Sequence, residues 1–207
     1  MEGQAGGEVR DEDWYGEDLG AAQFRGVVFT DVDLTETTSR GAVFDDCEFH
    51  SCRFNASTHT GTAFTGCDFR RSVLFDATLD GCKLSASVFA DCTLRPMTVT
   101  DGVWRGVSLR GARLEGLDLT GVDLRDADLS MATLSGTVLR NARLDDAVIR
   151  EADLARADLR GASLAGVDLT SATLRETQLD LPGAVLLAEL HGAAVDPSHV
   201  WREEVQP

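Results

Sequence analysis

A large apolar residue returns at every fifth position of this chain, and no common secondary structure has that period. The stretch DLTGVDLRDADLSMATLSGTVLRNARL shows it plainly, with Leu119, Leu124, Leu129, Leu134, Leu139 and Leu144 in one frame. An amphipathic helix repeats every ~3.6 residues and a strand about every 2. From Leu19 to Leu179 the frame holds over 33 positions without insertion or deletion; 20 are Leu and eight are Phe. The exceptions are Ser39, His59, Val99, Trp104 and Ile149.

A second column lies two residues before each large one. It is mostly small in the C-terminal half: Ala127, Ala132, Ala142, Ala147, Ala152, Ala157. All five cysteines, Cys47, Cys52, Cys67, Cys82 and Cys92, fall in it. The other three positions of each unit hold nearly all the Asp, Arg, Thr, Ser and Gly. Small and large residues separated by one polar residue alternate inside and outside, as along a strand. Two further residues turn a corner before the next pair points inward. Repeats of this kind bury their inner face only against neighbouring repeats, which is the logic of a solenoid.

The units ADLAR, ADLRG and VDLTS resemble the A(D/N)LXX motif of pentapeptide-repeat proteins. The resemblance covers about four fifths of the chain. It implies an all-β fold, a right-handed quadrilateral β-helix of about eight coils, each coil made of four units. Residues 20 apart should then stack at ~4.8 Å. Three segments are expected: an acidic N-terminal tail over 1–18, the β-helix over 19–181, and a C-terminal capping or dimerisation helix and tail over 182–207.

Composition narrows the function. The chain has 207 residues and a formal net charge of −16, which argues against binding nucleic acid through its phosphates. A partner drawn by charge would present a positive surface. No stretch approaches the ~20 apolar residues of a membrane span. MEGQAGGEVRDEDWYGED lacks the basic start and apolar run of a secretory signal, so a cytoplasmic location is expected. The cysteines read as buried fillers in a reducing compartment. Their spacing fits no zinc motif, and no cofactor is expected.

Departures from the repeat make local expectations. Ser39 and His59 stack, as do Thr37 and Ser57 beside them, so a polar patch sits inside two neighbouring coils. Met97 and Leu117, two large residues, share a column meant for small ones. Trp104 stands beside Gly102, which reads as volume compensation in a close-packed core. Phe is confined to the N-terminal half, so the packing should differ between halves.

After Leu179 the frame ends and LPGAVLLAELHG follows. Pro182 suits a helix start and Gly192 a stop. A short helix there covers the open end of the stack. Val185, Leu186, Leu187 and Leu190 are a rich apolar set for so short a segment, and are expected to form a two-fold dimer interface. AELHGAAVDPSHVW and FADCTLRPMTV resemble the mycobacterial fluoroquinolone-resistance (MfpA-like) subgroup of pentapeptide-repeat proteins.

That resemblance implies a protein that binds DNA gyrase by imitating duplex DNA and so protects it from quinolones or similar poisons. The acids expected to carry this are Asp126 and Asp146, stacked in one column, with Asp123, Asp128, Asp145 and Glu151 around or just past the same corner. Asp118 and Asp158 lie on another side. The alternative for this patch is a solvated acidic face in which Arg125 neutralises Asp145. Mimicry by uniform charge is not supported, since duplex DNA carries about one charge per 1.7 Å. The alternative is a rigid interaction scaffold with no gyrase link. Catalysis is not expected: His50, His59, His191 and His199 belong to no recognisable triad or metal motif.

Overall fold

The computed structural model describes residues 3–196; the end of AELHGAAVDPSHVW, with His199, lies outside them. It is a β-solenoid whose backbone pairs with itself at a separation of 20 residues. On the first side, Gln4–Ala5, Gln23–Arg25, Val43–Asp45 and Ala63–Thr65 form one parallel sheet. The second side stacks Glu8–Arg10, Val28–Thr30, Glu48–His50, Asp68–Arg70 and Val88–Ala90. The third side is a row of single bridges, Asp13 to Asp33 to Arg53 to Val73 to Thr93. The fourth stacks Thr38–Arg40, Thr58–Thr60, Ala77–Asp80 and Met97–Thr100.

The pairing begins ahead of the expected start at Leu19. Val9 and Trp14 continue the five-residue frame toward the N-terminus, and Glu8 pairs with Val28. The frame was hidden there because Gln4 and Val9 are weak markers of a column that Phe dominates further on.

In the N-terminal half the phenylalanine rings stack in parallel, offset, up each column. Phe24 on Phe44, Phe44 on Phe64 and Phe29 on Phe49 are each 4.9 Å apart, and Phe69 on Phe89 4.5 Å. Neighbouring columns meet edge to face, as Phe29 and Phe44 do at 6.1 Å. Both arrangements suit the quadrupole of the ring. In the C-terminal half leucine replaces phenylalanine, and the corners close by a bond across three residues, as from the Ala112 N–H to the Leu109 carbonyl. The third residue of such a turn has positive φ, the type II pattern. Gly111 and Gly116 meet that demand at φ 67° and 72°.

Two of the four sides are interrupted once in the middle of the stack. Lys83–Val103 and Val88–Ser108 bridge as usual on the first and second sides. On the third side Thr93 pairs with Val73 above, and Arg113 with Thr133 below, but Thr93 and Arg113 do not pair. On the fourth, Met97–Thr100 is the last strand of its sheet and the next bridge is Asp118 to Val138. The coils of 91–100 and 111–120 therefore part on two adjacent sides and stay joined on the other two.

Helix α1, Leu181–Leu190, lies over the last coil. Asp180 caps it, accepting the Gly183 N–H at 3.0 Å and the Gly161 N–H at 2.8 Å. Those two amides hold its carboxyl below the usual carboxylate range. No helix among the described residues is long and apolar enough to cross a membrane.

Candidate partner-binding surface

Asp126 and Asp146 sit at one corner of successive coils, both exposed, with φ of 59° and 60°. An L-residue in this left-handed region costs roughly 1–2 kcal/mol, although Asp tolerates it better than most. Glycine occupies the same corner above and below, at Gly106 and Gly166. The Asp146 carboxylate leans over Gly166, filling the space a side chain there would need. Asp126 accepts a hydrogen bond from Arg105 Nε at 2.7 Å. Glu151, at the next corner, is exposed with φ 60°.

The other expected acids divide by burial. Asp123 is only 8% exposed and Asp158 7%. Arg125 grips Asp123 with Nε at 2.7 Å and Nη2 at 2.6 Å, and this bond holds the Asp123 carboxyl below its ordinary range. Asp158 takes the same fork from Arg160 and a further bond from Arg140. Charge-assisted forks of this kind are strong and leave little negative field outside. Arg125 thus pairs with Asp123, two residues back in the chain, and not with Asp145 as in the solvated-face alternative. Asp145 instead accepts from Ser163 Oγ at 2.7 Å and the Ala165 N–H at 3.2 Å, tying two coils together. Asp118 and Asp128 bond their own turns, at Thr120 and Ser130. The outward-facing set is therefore Asp126, Asp146 and Glu151, with Asp118 exposed on the fourth side.

A second acidic region is the first coil, where Glu8, Asp11, Glu12, Asp13, Glu17 and Asp18 are all exposed. Arg10 pairs with Glu8.

The polar patch in the interior is a closed chain of hydrogen bonds. Ser57 Oγ donates to the Phe54 carbonyl at 2.7 Å, so His59 Nε2, 3.1 Å away, carries the proton and donates to it. His59 Nδ1 then accepts from Ser39 Oγ at 2.7 Å, and Ser39 accepts from Thr62 at 2.7 Å. Every member is satisfied with a neutral imidazole, and burial pushes the His59 pKa down to about 4. The patch is not open to a ligand: Ser39, Ser57, His59 and Thr62 are all buried.

The thiols are free. Burial raises Cys52, Cys82 and Cys92 to about 11, which makes them poor nucleophiles. Among the described residues no group of His, Cys, Asp and Glu is arranged to hold a metal ion.

Helix α1 is apolar on two faces. Leu186 and Leu187 pack against the last coil. Val185 is half-buried, while Leu190 is 40% and Leu181 78% exposed. Two of the four residues expected at a dimer contact are thus occupied as a lid. Leu181, passed over because it directly follows the repeat, is the most exposed large apolar residue of the set.

Comparison with known proteins agrees with this architecture. The family model described as pentapeptide repeats matches residues 22–58, 60–93, 105–141 and 142–181 in eight copies. No curated protein matches the chain. Among solved structures, a trypsin-treated variant of QnrB1, a plasmid-mediated fluoroquinolone resistance protein, superposes with a TM-score of 0.71. It is 20% identical, over 93% of this chain and 99% of that one. A second trypsin-treated QnrB1 variant gives a TM-score of 0.67 at 20% identity, with the same coverage.

Proposed function

This chain belongs to the pentapeptide-repeat family, and from that premise we propose that it is a binding protein of the quinolone-resistance type, acting on DNA gyrase. In this reading it occupies a DNA-binding surface of the topoisomerase in the cytoplasm and shields it from quinolones or similar poisons. The reading takes the mycobacterial (MfpA-like) subgroup as its pattern, on the strength of FADCTLRPMTV and the C-terminal segment.

The observation that carries the reading is the corner pair Asp126 and Asp146. Two carboxylates stacked one coil apart, ~4.8 Å, repel each other. Both hold a backbone conformation that glycine meets more cheaply in the coils on either side. The repulsion does not help folding, Arg105 answers only Asp126, and a cationic partner would relieve the rest. With Glu151 they form a local acidic edge. A rod of eight coils is ~40 Å long, and a tail-to-tail pair through Leu181, Val185 and Leu190 is ~80 Å, lengths suited to a DNA-binding groove.

The test is supercoiling by purified gyrase, with and without a quinolone. The protein is expected to inhibit supercoiling, and less so as salt rises through the ~0.1 M range where the Debye length is about 10 Å. Asp126→Asn with Asp146→Asn removes the charges, and Asn accepts positive φ readily. Inhibition should fall several-fold while the melting temperature holds or rises slightly. The scaffold reading is favoured by a specific observation, that Asp123 and Asp158 are neutralised within the fold. It prevails if the wild-type protein leaves gyrase from its own host unaffected.

A further inference from the structure

The parting of two coils on the third and fourth sides exposes what the rest of the solenoid buries. Cys92 and Ala112, in the small column, are half-buried where Cys47, Cys52, Cys67 and Cys82 are fully enclosed. At the corner between the second and third sides the gap is a cleft of about 320 Å³. Its walls are Phe89 and Leu94 above and Ala112 below, and Arg110 and Arg113 stand at its rim. Backbone donors are unused there. In the neighbouring coils the Leu74 N–H donates to Thr93 and the Leu114 N–H to Thr133. The equivalent Leu94 to Arg113 bond is missing, as is a bond from the Arg113 N–H to the Cys92 carbonyl matching that from Thr133 to Ala112. Among the described residues the guanidinium of Arg110 has no carboxylate partner; its Nη2 rests on Met131 Sδ at 3.2 Å. Arg113 reaches Glu115 only at 3.5 Å.

We propose that this cleft binds a small organic monoanion, an apolar body bearing a single carboxylate or sulfonate. The body would lie on Phe89, Leu94 and Ala112, and the acid group would take the free guanidinium of Arg110 and the free Arg113 N–H. The recess joins a small apolar floor to convergent polar groups, and 320 Å³ falls at the lower end of the usual range for a small-molecule site. Asp91 on the same wall disfavours a second negative charge, which sets a monoanion apart from a phosphate. The site is independent of the corner acids and of the gyrase reading.

The test uses 1-anilinonaphthalene-8-sulfonate, an aromatic monosulfonate, titrated into the full chain by fluorescence. One saturable site per chain is expected, and bound dye should slow alkylation of Cys92 by iodoacetamide, followed by mass spectrometry of the digest. Arg110→Ala should weaken binding about tenfold, the loss of one charged hydrogen bond. Ala112→Leu, which fills the recess, should abolish it, with circular dichroism showing the coil intact. The Cys92 protection needs no variant and so stands if Ala112→Leu misfolds. Absence of a saturable site, dye binding that leaves Cys92 alkylation unchanged, or equal binding by the wild type and Arg110→Ala overturns the proposal.

Discussion

His59 occupies a core position that leucine or phenylalanine fills in most other coils, and its neutrality has a measurable consequence. The unfolded chain protonates it near pH 6.5, the folded one near 4. Between these values the unfolded state binds more protons, so stability is intact above about 6.5 and is lost as pH falls toward 4. The loss is on the order of 3 kcal/mol. His59→Leu should remove this slope, because Ser57 keeps its bond to Phe54 and Ser39 keeps Thr62. Urea midpoints of both proteins from pH 7 to 4 give the comparison; parallel curves would show that His59 is not the titrating group. The stacking of Ser39 on His59 was legible from a separation of 20 residues. The partners were not, since Thr62 lies round the corner, and its role depends on which way a hydroxyl points. Similarly, the neighbours of Arg125 were countable in the sequence, but its choice of Asp123 over Asp145 depends on side-chain reach along one extended segment.

Helix α1 separates two jobs that its sequence superimposes. An apolar segment with leucine at 181, 186, 187 and 190 says that something is covered, not which residues do the covering. The packing divides them: Leu186 and Leu187 close the stack, and Leu181 looks outward. Leu186→Glu should therefore cost about 2–4 kcal/mol of stability by placing charge against the last coil. Leu181→Glu should leave the melting temperature within a degree or two and convert the proposed dimer to a monomer, read by light scattering. A Leu181→Glu protein that still runs as a dimer would move the contact elsewhere. The strands from Gln23 onward were legible, because each lies in one repeat unit; Gln4–Ala5 and Glu8–Arg10, inside the expected tail, were not.

For the molecule as a whole, stability is a sum of coil-to-coil contacts, each coil touching only its neighbours. The interrupted level is then the weakest joint of the stack. Amide exchange at Leu94, Arg113 and Asp118 should be faster by an order of magnitude or more than at Leu74, Thr133 and Val138, their counterparts in intact levels. Equal protection would mean that the parted coils close in solution. This break was not legible beforehand. Met97 and Val99 departed from the repeat in the right place, yet they read as exchanges of volume, and volume says nothing of which backbone bonds are lost. Four-sidedness, too, came from likeness and not from period, since five residues per side fit any polygon.

Pairing at a separation of 20 residues gives the rod a phase as well as a length. Removing 20 residues in frame, such as 127–146, takes out one whole turn; every later side chain keeps its side and the rod shortens by ~4.8 Å. Removing five takes out one side, and everything downstream rotates a quarter turn against what precedes it. The corner of Asp146 and Glu151 would then face a new direction relative to the acidic first coil, with the core columns still filled. Two deletions of similar folding cost would differ in bearing alone. A partner that grips the rod along one edge would tolerate the first and reject the second.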